Sequence, residues 1–199
     1  MKEREPSRIL CLHGSPREGS HSAALGEALC DAARERGARA GSRRLADLAF
    51  GGCRACMACK GRSEECVVAD GLQPVLAEVR RADVLVLTTP VYFGEVTAQL
   101  KAFIDRTYCF LPPDYRESGA SRLGPGRRLV LCQTQGHPDR EAYADIFPRY
   151  EFFFKWFGYE HNHLIRACGT GPEAETPALA AALDRARELG ARLAAPSGP

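Results

Sequence analysis

Three short runs of consecutive apolar residues stand out along the chain: Ile9-Leu-Cys-Leu12, Val84-Leu-Val-Leu87 and Leu129-Val-Leu-Cys132. The second, β-branched and too short for a lone helix, shows no polar alternation, the mark of a central strand covered on both faces in a parallel sheet. Between the runs the spacing becomes helical. Leu25, Ala28, Leu29 and Ala32 predict an amphipathic helix that Gly37 closes from the left-handed region. Val96, Leu100, Phe103, Ile104 and Thr107 predict another, and a helix from about Gly71 to Arg81 precedes the central strand. Asp139 to Tyr159 reads as one helix, from Tyr143, Ile146, Phe147, Tyr150, Phe153, Phe154 and Phe157, with a kink at Pro148. Leu179, Leu183, Ala186 and Leu193 build a closing helix before a frayed tail, Pro196-Ser-Gly-Pro199. A weak, polar strand within Ala38 to Leu45 suits a sheet edge, and Leu164 to Cys168 supplies the last strand. The result is an α/β, doubly wound, five-stranded parallel sheet in the order 2-1-3-4-5 with helices on both faces. Asp47 to Asp70 stays a long irregular segment, and such loops in compact domains are functional or disordered. Leu111 to Gly126, rich in Pro, Gly, Ser and Arg, reads as a mobile loop.

Composition narrows the field. A chain of 199 residues suits one domain, with a cysteine-rich loop at about 50–70. A net charge of +2 gives no case for nucleic acid or a membrane surface. No apolar stretch approaches the ~18 residues of a membrane span, and the charged start Met1 to Arg8 does not resemble a signal peptide. A cytoplasmic location is expected. Nine cysteines are an odd number, and four lie within residues 53–66, which suits a metal or redox site better than a disulfide framework.

Two loops sit where ligands bind in open α/β sheets, at the carboxyl ends of strands. Gly14-Ser-Pro-Arg-Glu-Gly-Ser-His-Ser22 links the first strand to a helix N-terminus, whose free N–H groups and dipole attract anions. Ser15, Ser20 and Ser22 add hydroxyls and Arg17 a charge-assisted donor. The pattern is neither a Walker loop nor G-x-G-x-x-G. Read alone, it is equally a Ser/Gly turn with Ser20 or Ser22 as a plain N-cap. The second loop, Pro90-Val-Tyr-Phe-Gly94, places Tyr92 and Phe93 where a flat ligand could lie.

Gly14-Ser-Pro-Arg-x-Gly-Ser-x-Ser22, Thr89-Pro-Val-Tyr-Phe-Gly94 and Leu100-Lys-x-Phe-x-Asp-Arg106 together resemble the flavodoxin-like NAD(P)H-dependent FMN reductase family, over about Ile9 to Gly136. The resemblance implies FMN, its phosphate on Ser15, Arg17, Ser20 and Ser22 with His21 beside them. The isoalloxazine ring would lie against Pro90, Val91, Tyr92, Phe93 and Gly94, and Thr134, Gln135 and Gly136 would close the site. Lys101, Asp105 and Arg106 read better as an ion-paired, structural part of their helix.

Cys53-x-x-Cys56-x-x-Cys59-x6-Cys66 is the other specific signal. Such compact runs ligate iron–sulfur clusters, and Arg54, Lys60 and Arg62 would offset an anionic cluster. The spacing resembles the iron–sulfur flavoprotein branch of the same family, which implies a [4Fe–4S] cluster on these four residues near FMN. Zinc, whose usual form is two separated C-x-x-C knuckles, a redox-active disulfide, and cysteines holding no cluster stay open. Asp70-Gly71 stands where family members commonly carry two aspartates. Cys11, Cys30 and Cys132 read as core residues, while Cys109 and Cys168 have no assigned role. Phe152, Phe153, Phe154, Trp156 and Phe157 cover more than one helix face. A subunit interface is the first reading, since the resemblance implies homodimers, with a homo-oligomer of dimer or tetramer form expected. A substrate-pocket wall is second, and ordinary packing accounts for Phe153 and Phe157. His137 reads as an exposed loop residue that could face the flavin, and His161 and His163 read as structural.

The expected activity is oxidoreduction: NAD(P)H or ferredoxin reduces FMN, which passes electrons to a quinone, nitro or azo compound, free flavin or a protein acceptor. The flavin carries the chemistry, so no catalytic acid–base pair is expected. The alternatives are a non-catalytic iron–sulfur flavoprotein electron carrier, and a zinc-binding or thiol-sensing module without flavin.

Overall fold

The computed structural model describes residues 5–171 and 176–195; the tail expected to fray, 196–199, lies outside the described residues. Five parallel strands, β1 (Arg8–His13), β2 (Arg39–Arg44), β3 (Val84–Pro90), β4 (Arg127–Gln135) and β5 (Tyr159–Cys168), form one sheet in the order β2-β1-β3-β4-β5. The expected topology is the observed one. The polar β2 lies at the edge, where the exposed Arg39 and Arg43 and the half-buried Ser42 and Arg44 are tolerated.

Strand side chains alternate between faces, and here the alternation sorts them by shape. Leu10 and Leu12, Leu85 and Leu87, Leu129 and Leu131 point to a core shared with helices α2 (Gln73–Arg81), α3 (Ala98–Arg106) and α5 (Ile146–Lys155). Ile9 and Cys11, Val84 and Val86, Val130 and Cys132 point to the other core, built with α1 (His21–Glu35) and α6 (Pro177–Leu193). Cys11, Cys30 and Cys132 are fully buried there, as small apolar residues. Gly37, at φ +87°, closes the end of α1 as its sequence position predicts.

Five expectations need correction. The helix read over Asp139 to Tyr159 is confined to α5, because residues 139–145 are spent on turns, with Tyr143 in the left-handed region at φ +64°. Pro148 causes no mid-helix kink: it occupies the first turn of α5, where a missing N–H is harmless. β5 begins at Tyr159, five residues earlier than Leu164, since the early part of the strand is polar on its exposed positions. Phe154, rather than Phe153, joins Phe157 in the core, leaving Phe152, Phe153 and Trp156 exposed. The segment Leu111 to Gly126, expected to be a mobile loop, holds the short helix α4 (Tyr115–Ser118) and is anchored by buried Leu111 and Leu123.

Candidate functional site

The crook between β1 and α1 is built by close backbone approach. Gly14 donates its N–H to the Thr88 carbonyl at 2.8 Å and accepts from the Thr97 hydroxyl at 2.7 Å. A Cβ there would fall 2.8–2.9 Å from Thr88 O, Leu100 Cβ and Thr97 Oγ1, so only glycine fits. Thr97 in turn caps α3, accepting from Leu100 N, while Ser20 caps α1, accepting from Ala23 N. The crook is thereby tied to two helix N-termini at once. The opening amides of α1 lack intrahelical acceptors by geometry and face the same crook.

At the carboxyl ends of β1, β3 and β4 lies a cavity of about 160 Å³ lined by Ser15, Arg17, Ser20, His21, Pro90, Val91, Tyr92, Thr134, Gln135 and Gly136. Ten of the thirteen residues expected at a cofactor site are therefore brought together. Ser22 is not in the lining: it is fully buried with its hydroxyl 3.4 Å from that of Ser20. Phe93 and Gly94 form the tip of a tight turn closed by Tyr92 N–H to Glu95 O at 2.9 Å and Glu95 N–H to Tyr92 O at 3.1 Å. Both tip residues have positive φ, +51° and +78°, the geometry of a type I′ turn that favours Asn and Gly. A phenylalanine in the left-handed region is strained, and this one is wholly exposed.

The Gln135 amide donates to the His137 and Asp139 carbonyls, and its oxygen accepts from Arg166, which shapes the loop beyond Gly136. Thr170 and Gly171 also line the cavity. Thr170 bonds the Gln135 carbonyl, and the Gly171 carbonyl lies 3.1 Å from the His21 ring. Sequence reasoning missed both, although they follow Gly169, a left-handed turn at the carboxyl end of β5. Beneath the crook, buried His13 contacts Glu27 at 2.8 Å. Burial opposes ionisation of Glu27, but hydrogen bonds from Ser42 and His13 and the Arg34 charge hold its carboxyl below the ordinary range.

A second cavity, about 110 Å³, is lined by Cys53, Cys56, Cys59 and Cys66 together with Arg54, Arg106 and Cys109. Its sulfurs share a chamber and not a point: among the described residues no group of three or more Cys, His, Asp or Glu side chains is drawn close enough to hold a metal ion. The run doubles back through left-handed Ala55 (φ +49°) and Met57 (φ +56°). Regular structure contributes little here, and cationic side chains supply the bracing. Arg122 donates to the carbonyls of Cys59 at 2.9 Å and Cys109 at 2.8 Å. Lys60 donates to the Tyr108 carbonyl at 2.6 Å and lies 3.7 Å from the centre of that residue's ring. Arg106 donates to Cys66 Sγ and pairs with Asp70, whose carboxyl it holds below its usual range. The pairing expected within α3 is Lys101–Asp105, at 2.7 Å. Burial pushes the Cys109 thiol up to about 11. Beside Cys53 an apolar groove runs past Tyr108, Tyr115, Phe153 and Trp156. His137 is exposed, with its ring edge-on to Tyr143, and Cys168 is half-buried at the end of β5. No helix among the described residues is long and apolar enough to cross a membrane.

A family model described as "Flavodoxin-like fold" matches residues 7–189. The chain is 33% identical over 100 residues to the iron-sulfur flavoprotein of Methanosarcina thermophila, covering 50% of this chain and 52% of that one. It is 32% identical over 115 residues to an FMN-dependent NADH:quinone oxidoreductase of Rhizobium meliloti, covering 54% and 56%. The chain thus spans about half the length of the curated relatives it matches. An FMN-dependent NADH-azoreductase structure from Bacillus anthracis superposes with a TM-score of 0.75 at 19% identity, covering 95% of this chain and 100% of that one.

Proposed function

The chain belongs to the flavodoxin-like fold family, and from that premise we propose that it is an FMN-dependent oxidoreductase carrying electrons from NAD(P)H to a small-molecule acceptor of the quinone, nitro or azo class. The observation that carries this reading is the cavity at the strand ends, where hydroxyls, helix-opening amides, Arg17 and an aromatic turn converge. Bound FMN would supply the redox chemistry, taking a hydride equivalent from NAD(P)H and releasing electrons to the acceptor.

The chain's own residues bind and orient. Ser15, Ser20 and the first amides of α1 suit a dianionic phosphate, with Arg17 as the charged donor. Ser22 supports the Ser20 hydroxyl from behind. Pro90 to Gly94 offer one wall for a flat ring, and Thr134 to Gly136 the other edge. The enclosed volume suits the phosphate end of the cofactor. Tyr92 and Phe93 leave the ring face open, which agrees with a homodimer or tetramer in which a second copy covers it. The exposed Phe152, Phe153 and Trp156 give such a contact an apolar surface.

The donor set of the cysteine cavity suits a [4Fe–4S] cluster, which Cys53, Cys56, Cys59 and Cys66 would hold. Support comes from four thiol donors spread around one chamber, which suits a group of several metal atoms better than one ion, and from the guanidinium groups beside them. That group would supply one-electron transfer, which suits ferredoxin as the donor. It also favours the second reading, an electron carrier whose direct use of nicotinamide is slow. Nine cysteines free of disulfides fit a reducing compartment such as the cytoplasm.

Anaerobic purification followed by an absorbance spectrum and an NAD(P)H–quinone assay tests these readings. Two flavin bands with rapid nicotinamide oxidation support the oxidoreductase. A broad brown shoulder with slow oxidation supports the carrier. Colourless protein that takes up no added FMN would refute both.

A further inference from the structure

Arg106 has an environment that an ion-paired helix end does not require. It is the last residue of α3 and its side chain is fully buried. A guanidinium has five N–H donors in a rigid fork, and here five acceptors meet them. Nη1 donates to Gly51 O at 2.9 Å and Asp70 Oδ2 at 2.8 Å, and Nη2 to Val68 O at 3.2 Å and Asp70 Oδ1 at 3.2 Å. The fifth, Nε, donates to Cys66 Sγ at 3.1 Å. Four of these bonds fix the loop flanking Cys66. The remaining one satisfies a buried N–H that must find an acceptor, and the acceptor it finds is the sulfur of a candidate cluster ligand.

A donor and a fixed positive charge at a metal-bound thiolate stabilise the more negative, reduced form, and hydrogen bonds to sulfur and net charge are among the quantities that set cluster potentials. Asp70 works against that charge from the far side of the fork. The same helix starts at Thr97, which bonds Gly14 in the phosphate crook. Nine residues of α3, about 13 Å of helix, therefore join the two sites. On the reading that the cysteine chamber holds an iron–sulfur cluster, we propose that Arg106 is a positioning residue that raises the cluster's reduction potential through Cys66, with Asp70 as its counterweight.

The test compares full-length wild type, Arg106→Gln and Asp70→Asn, each reconstituted anaerobically with iron and sulfide. Metal and sulfide content are measured first, then the midpoint potential by dye-mediated titration followed by electron paramagnetic resonance. Arg106→Gln is expected to shift the potential down and Asp70→Asn to shift it up, each by about tenfold in the electron-transfer equilibrium, or ~59 mV for a one-electron couple. Should Arg106→Gln fail to load, Arg106→Lys keeps the charge but not the fork, and a loaded Lys variant with a smaller downward shift supports the proposal. Loaded variants at the wild-type potential, shifts of the same sign in both, or failure of both Arg106 variants to load would reduce Arg106 to a structural clamp and overturn it. Wild type that takes up no iron would overturn the cluster reading and this inference together, whereas a loaded wild type with unmoved variants overturns the inference alone.

Discussion

The crook between β1 and α1 and the cysteine loop are both irregular segments after a strand, yet they are held by opposite means. The crook is shaped by backbone: a strand end, two capped helices and a glycine too tightly enclosed to carry a side chain. The cysteine loop is shaped by side chains: Arg106 and Arg122 reach in from 36 to 63 residues away to its carbonyls, its sulfur and its neighbours, and the loop's own Lys60 reaches out to the Tyr108 carbonyl. Backbone shaping leaves a rigid cradle suited to a fixed anion. Side-chain shaping leaves a loop whose form depends on a few charged groups, and whose chemistry those same groups can tune.

Breaking the crook should have the largest effect. Gly14→Val places two methyl groups beyond a Cβ that already meets Thr88 O at 2.8 Å. Overpacking of this kind costs about 3 kcal/mol, read as a lowered midpoint in urea unfolding. FMN uptake should be lost, while iron uptake by the cysteine loop persists in protein that remains folded. Normal FMN affinity would show that the crook is not the binding cradle. Arg122→Met breaks the other region and should cost less, about 2 kcal/mol for hydrogen bonds from a charged donor. Hydrogen exchange should accelerate over residues 58–66 with FMN affinity unchanged. Unchanged protection there would mean that regular structure, and not Arg122, holds the loop.

The same contrast explains what could be read from the residues alone. β1, β3 and β4 were legible because each is an apolar run buried on both faces, and the strand order follows from alternation with helices. The shape of the crook between β1 and α1 was legible because its place in a strand–turn–helix unit largely determines its geometry. α5 was misjudged because Pro148 is compatible with a first turn as well as with a kink, and spacing alone cannot choose between them. Phe153 was placed in the core because it and Phe154 both fit the helical spacing, and only the packing shows that Ile146, Tyr150, Phe154 and Phe157 face inward. The partners of Arg106 at Gly51, Cys66 and Asp70 were not legible at all, since nothing in a local motif encodes contacts made over 36 to 55 residues. Thr170 and Gly171 escaped for a related reason: the sheet topology, and no motif, carries them to the crook.

Phe93 sharpens the comparison from within the backbone-shaped region, and its expected effect is the smallest. It occupies a turn position where Asn or Gly is at ease, at φ +51° and with no burial to compensate. A bulky residue in the left-handed region costs of order 1 kcal/mol, so Phe93→Asn should raise the stability of the FMN-free protein by about that amount in urea unfolding. Strain kept at an exposed position has a use only when something covers the side chain. The substitution should therefore weaken FMN binding or self-association, measured by fluorescence titration and by sedimentation, as stability rises. Opposite signs in stability and binding are the signature of strain retained for a site. A variant that becomes more stable with binding and assembly unchanged would show the turn to be strained without function.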